Sequence, residues 1–259
     1  MSELDRIVQA WSQTLTDTIT LGEQLSEDAW ARPTECPGWT VKDVYAHLVG
    51  GEHWMADGHP APPEGLARIA DGPVEERRGV SGPAVLEELR AILAQRQEQL
   101  AAGLPDPDAP TMTAYLQPVT VGTLYRMRAF DAWVHEQDIR RAVGVPGNLD
   151  SPSAKISRNL FVSSLPRVVA KAAAAPPGSS VRVDVTGPVA FDLTVEVGAD
   201  GRGVHSQEPP ERPTVTLRTD WETFSRLMAG RIDPGTAPVT VEGDADLAGR
   251  VLSHLAITP

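Results

Sequence analysis

Asp131 and His135 stand four residues apart in the stretch RMRAFDAWVHEQDIRRAVG, residues 126–144. On a helix that spacing puts a carboxylate oxygen and an imidazole nitrogen over the same spot, which suits two ligands of one divalent metal. At about 100° per residue, Leu124, Met127, Asp131, His135, Asp138 and Ala142 fall within an arc of about 80°. Trp133, Glu136 and Arg140 fall roughly opposite. With Leu124, Met127 and Ala142 marking a core-facing stripe, the three polar members point inward, and buried carboxylates are normally paired or metal-bound. A third ligand must come from elsewhere. His47 leads because it lies between Val44 and Leu48, beside the apolar stripe of another helix. A set of two His and one Asp with an open position is a catalytic zinc arrangement, its fourth place taken by water or a thiolate. Asp138, three residues after His135, is placed to orient that imidazole or to hold a neighbouring Arg. Cys36, before Pro37–Gly38–Trp39, is a candidate fourth ligand or reactive thiol. Arg231, in LMAGRID, offers a bidentate fork to a carboxylate substrate.

Each of these residues has a plainer reading as well. Asp131 and His135 also suit a surface hydrogen bond, and His47 suits a satisfied core histidine. Cys36 reads equally as a small buried hydrophobe. Arg231 reads as a solvated helix-end arginine. His53, His59, His205 and His254 have no partners at ligand spacing and read as structural or exposed. HEQD is not HExxH, so the metalloprotease motif is absent, and no phosphate loop or G-x-S-x-G elbow occurs.

The elements that must position these residues are helical in the first half. Leu4, Ile7, Val8, Trp11, Leu15, Thr18 and Ile19 recur at spacings of three and four. Thr40 and Asp43 form a capping-box start for a second helix, with Val41, Val44 and Leu48 as its stripe. The Pro-, Gly- and Ala-rich stretch 55–82 has no period and reads as a long loop. Pro83 opens a third helix, and a fourth runs from about Thr120 to Val143 before GVPGN ends it. Four amphipathic helices predict a four-helix bundle. A further helix near 152–175 leads into AAAAPPGSS, which looks like a boundary. Beyond it the period changes to two in VRVDVTG, FDLTVEV and TVTLRT. A helix from Asp220, the strand VTVEG and a last helix from Asp244 complete a small α+β domain. The expected domains are therefore 1–175 and 178–259.

Composition narrows the function. Of 259 residues, 23 are Lys or Arg and 35 are Asp or Glu, a net charge of −12 with no basic block. That disfavours nucleic acid and polybasic membrane binding. The one cysteine excludes an internal disulfide framework and fits a reducing cytosol. The N-terminus lacks signal-peptide features, and no apolar run approaches the ~20 residues of a bilayer span. A cytoplasmic protein is expected, as monomer or homodimer.

CPGWTVKDVYAHLVGGEHW (36–54) and RMRAFDAWVHEQDIRRAVG resemble the mycothiol-dependent maleylpyruvate isomerase family, and the likeness extends to RLMAGRID and VEGDADLAGRVL. The resemblance implies a DinB-like four-helix bundle carrying a divalent metal, usually zinc, followed by a small sterol-carrier-like domain. It makes His47 the first metal ligand and Asp131 and His135 the second and third. Asp131 is a departure, since the family's pattern has Glu there. Arg231 matches the family's catalytic arginine, which would hold a substrate carboxylate, and mycothiol is the implied thiol cosubstrate, acting on a small electrophile. Cis–trans isomerisation and thiol S-transfer need the same metal and thiolate, so both stay open. A lipid- or small-molecule-binding protein and a hydrolase using metal-bound water are the competing classes.

Overall fold

Ser2 starts the first helix, α1 (Glu3–Gly22), by a reciprocal cap. Its hydroxyl accepts from the Asp5 N–H at 3.1 Å, and the Asp5 carboxylate accepts from the Ser2 N–H at 2.6 Å. The computed structural model describes residues 1–58, 67–113 and 117–258. They fall into two units, Met1–Gly147 and Asn148–Pro259.

In the first unit, α1 is followed by a short 3-10 turn (Glu27–Ala31), α2 (Val41–Ala56), α3 (Ala67–Glu76) and α4 (Gly82–Ala101). A small antiparallel hairpin, β1 (Pro110–Met112) and β2 (Pro118–Thr120), leads into α5 (Val121–Val143). The Thr40–Asp43 cap of α2 forms as the sequence predicts, with Thr40 N–H donating to Asp43 at 2.9 Å. The four long helices pack in a closed order, α1 on α5 and α4, and α2 on α4 and α5. Their apolar stripes make a core around Trp11, Tyr45, Leu48, Leu89 and Trp133, and Tyr45 donates to the Thr18 carbonyl at 2.6 Å.

The expected loop at 55–82 is corrected in its described part: 55–56 finish α2 and α3 occupies 67–76, while 59–66 lie outside the described residues. A ten-residue helix with Pro73 inside it is too short and too broken to show a period. Packing holds it instead. Pro73 sits so close to Gly50 of α2 that a Cβ there would fall 2.1 Å from its ring. The three-residue hairpin strands escaped notice for the same reason of length.

Helix α5 ends where Gly144 takes a left-handed φ of 73°. Trp133 and Glu136, on the side of α5 opposite the polar arc, are buried, whereas Met127 and Ala142 are half-exposed. The arc is therefore mixed, with Leu124, His135 and Asp138 buried as expected and Met127, Asp131 and Ala142 half-exposed, on a helix packed by both α1 and α2.

The second unit begins with α6 (Pro152–Arg167), which runs into a π turn (168–172) after Pro166. The expected linking helix belongs to this unit, because Phe161 packs edge-on to Phe224 at 6.1 Å and lies 6.2 Å from Trp221. The sheet comprises β3 (Ser180–Thr186), β4 (Phe191–Val197), β5 (Gly203–His205), β6 (Val215–Asp220) and β7 (Thr240–Gly243). Its order is β5-β4-β3-β6-β7, with β3 and β6 parallel and the other pairs antiparallel. Val181, Val183 and Val185 of β3 are all buried, as the period of two requires. Helices α7 (Trp221–Met228) and α8 (Ala245–Ser253) complete the α+β unit. The short edge strand β5 is the one addition to the expected order.

Candidate metal centre

Helices α2 and α5 lie side by side and bring three predicted residues together. The ligand atoms of His47, Asp131 and His135 all lie within 4.8 Å of one another. Asp131 Oδ1 is 3.6 Å from His47 Nε2 and 3.7 Å from His135 Nε2. These separations exceed hydrogen-bond length. They match the spacing around one tetrahedral ion, whose ligands at about 2.0–2.2 Å lie roughly 3.3–3.6 Å apart.

Second partners fix which nitrogen of each imidazole is available. His47 Nδ1 lies 3.3 Å from the Ala70 carbonyl, which only accepts, so Nδ1 carries the proton. Its Nε2 is left with a lone pair, buried and without a hydrogen-bond partner. His135 Nδ1 lies 3.1 Å from Oδ2 of Asp138, a fully buried carboxylate that also faces Arg141 at 3.7 Å. Asp138 thus both orients the imidazole and faces an arginine. Buried nitrogen lone pairs converging on a carboxylate oxygen form a donor set suited to zinc.

Asp131 is held from its other side. Its Oδ2 accepts from Arg128 Nη1 at 3.0 Å, and Arg128 Nη2 donates to Glu52 Oε1 at 2.9 Å. The same Glu52 oxygen accepts from the Trp11 indole at 3.0 Å. Burial pushes the Asp131 carboxyl up, but the Arg128 guanidinium beside it outweighs that and is the main cause holding the group well below the usual carboxylate range. The two carboxylates in turn raise Arg128 further against the cost of its burial. Trp39 walls the site, its ring 4.9 Å from that of His47 and stacked at 5.8 Å on that of His135.

Sequence reasoning missed Trp39, Glu52, Arg128 and the Ala70 carbonyl. Arg128, three residues before Asp131, carried the one local signal. Cys36 falls in a second group, with His135 and Asp138. Arg231 lies in the second unit just after Gly230; it is buried and donates to the Ala229 carbonyl at 2.8 Å, so the solvated reading does not hold. His53 and His254 are exposed and His205 half-exposed, while His59 lies outside the described residues. Among the described residues no helix is long and apolar enough to cross a membrane.

Residues 11–140 match the family model described as the mycothiol maleylpyruvate isomerase N-terminal domain, and residues 157–250 match the model of its C-terminal domain. Two uncharacterized proteins of Mycobacterium tuberculosis, MT0041 (strain CDC 1551 / Oshkosh) and Rv0036c (strain ATCC 25618 / H37Rv), are each 27% identical over 139 residues. That match covers 50% of this chain and 53% of each relative, so the chain spans about half the length of the curated relatives it matches. The crystal structure of the mycothiol-dependent maleylpyruvate isomerase shares the fold at a TM-score of 0.61 and 14% identity, covering 94% of this chain and 95% of that one. A histidine-to-alanine mutant of that enzyme gives a TM-score of 0.60 at the same identity and coverage. With a model of each part matched in order along the chain, this protein belongs to the mycothiol maleylpyruvate isomerase family.

Proposed function

We propose that this chain is a zinc-dependent enzyme that uses mycothiol as thiol cosubstrate, for cis–trans isomerisation of a small electrophile or for thiol S-transfer to one. The observation that carries the reading is the pair of imidazole Nε2 atoms facing one Asp131 oxygen, each imidazole with its other nitrogen already engaged. His47, Asp131 and His135 would hold the metal. Zinc, when bound, lowers the pKa of a thiol so that thiolate is present at neutral pH. Asp138 keeps the His135 lone pair turned to the site, and Trp39 keeps water off the imidazole faces. Arg231 is the proposed catalytic arginine, its guanidinium suited to a substrate carboxylate. In the isomerase form the thiolate adds to an activated cis double bond, the resulting single bond rotates, and elimination of the thiolate gives the trans isomer. In the transferase form the adduct is the product. Cytoplasmic residence fits a thiol-using chain with a single cysteine.

Metal analysis of the purified chain and of His47→Ala and His135→Ala tests this. About one zinc per wild-type chain, lost in both folded variants, together with mycothiol-dependent turnover, is the expected result. A metal-free wild type that zinc does not reload would sink it.

A further inference from the structure

The first unit holds a cavity of about 640 Å³ that neither the metal ligands nor their partners account for. It is walled by the 3-10 turn, the CPGWT turn, the first turn of α2 and one face of α3. Three features place it against the metal triad. Asp43, in its wall, lies four residues before His47 and therefore on the same face of α2. Asp71, also in its wall, directly follows Ala70, whose carbonyl engages His47. Trp39 is common to both, lining the cavity while contacting the rings of His47 and His135.

The lining says what kind of molecule fits. Its volume is that of a pocket for a whole small ligand rather than for a few atoms. Four carboxylates face two cations in its wall, so an anion is disfavoured. Lys42 is already engaged, donating to the Arg77 and Arg78 carbonyls at 3.3 and 2.8 Å, and Asp43 is committed to capping α2. Glu27, Asp71 and Glu75 remain as exposed carboxylates, groups that only accept hydrogen bonds, around an indole face. Hydroxyl donors on a ring with an apolar face complement that surface.

We propose that this cavity binds a hydroxyl-rich, non-anionic group, the polyol portion of the thiol cosubstrate, while the sulfur reaches the histidines across Trp39. The assignment rests on the thiol reading above, and mycothiol has the required shape, a cysteine thiol carried on a glucosaminyl-inositol. Asp71 and Glu75 then set affinity for the thiol without touching the metal.

Binding of the thiol-free glucosaminyl-inositol to the full chain, followed by calorimetry with and without zinc, tests it independently of turnover. Saturable binding by the wild type, weakened about tenfold or more in the Asp71→Asn/Glu75→Gln variant with zinc content unchanged, is the expected result. Turnover should show the same split: KM for mycothiol rises in the variant, while kcat and the rate with N-acetylcysteine as thiol stay as they were. A wild type that holds zinc but not the probe, or a variant that binds it as tightly, overturns the cavity assignment alone. A chain that holds the probe but no zinc overturns the metal reading instead.

Discussion

Replacing Arg128 by Met removes the one guanidinium that neutralises both Glu52 and Asp131 among the described residues, and the geometry sets the cost. The two ion pairs measure 2.9 and 3.0 Å, with side-chain exposures of 11% for Arg128, 1% for Glu52 and 28% for Asp131. A unit-charge pair near 4 Å at an effective dielectric of 20 interacts by about 4 kcal/mol. Breaking a buried pair by deleting one partner costs about 3–5 kcal/mol, because the other charge is stranded. Most of that loss falls on Glu52, since Asp131 is discounted for its contact with solvent. In Arg128→Met, Glu52 loses its ion pair and is left with the Trp11 indole, which donates to it at 3.0 Å. Urea unfolding of the metal-free chain, followed by tryptophan fluorescence, should therefore lose about 3–5 kcal/mol. The double variant Arg128→Met/Glu52→Met replaces the pair with apolar bulk, strands the indole N–H and takes the arginine from the part-exposed Asp131 Oδ2, a loss of about 1–3 kcal/mol. A coupling of at least ~1 kcal/mol between the two positions follows. Acid titration carries the same signature. The Asp131 pKa is depressed, so its contribution is full above the unfolded carboxylate value of about 3.9 and is lost as pH falls below it. Without Arg128 that depression shrinks, and the acid limb becomes shallower. A single variant within ~1 kcal/mol of wild type, or strict additivity in the double variant, would refute the reasoning.

Three further outcomes are expected. Asp138→Asn should weaken zinc binding about 10–100-fold in chelator competition, because the His135 Nδ1 contact at 3.1 Å loses its charge. Zinc at 100 times its dissociation constant should stabilise the wild type by about 2.7 kcal/mol in denaturant titrations, and His47→Ala should abolish the gain. Asp220→Ala should cost about 1 kcal/mol at neutral pH, since Asp220 caps α7 through the Thr223 N–H at 2.9 Å. Burial opposes but does not overcome the Thr223 hydrogen bonds that lower the Asp220 pKa. The cap is therefore at full strength above about pH 4, and the gap to wild type should close as pH falls below that.

What could be read in advance was what a helix encodes locally. Asp131, His135 and Asp138 lie within two turns of one another on one helix, and the Thr40 cap that fixes the phase of His47 lies two turns from it on another. The α+β unit was legible because Val181, Val183 and Val185 alternate cleanly with polar residues. The remainder of the site depends on pairings between distant segments. Glu52 and Arg128 are separated by 76 positions, and the carbonyl that sets the His47 tautomer comes from α3, a segment whose composition resembles a loop. No period carries information of that kind. The same limit explains α5, where a single apolar stripe was sought on a helix that α1 and α2 enclose on more than one flank.

Asp131, where the resemblance implies a Glu, is where these distant contacts matter most. A shorter arm positions its oxygens less freely, yet Asp131 Oδ1 stands nearly equidistant from the two imidazole nitrogens, at 3.6 and 3.7 Å. Arg128 accounts for that placement: by taking Oδ2 it leaves a single oxygen facing the histidines. A carboxylate restricted to one donor atom gives three protein ligands rather than four, so a tetrahedral ion there would keep one position open for a thiol. Glu52 and Trp11 hold Arg128 in turn, and so an open position on a bound ion would depend on residues outside the His47, Asp131 and His135 set.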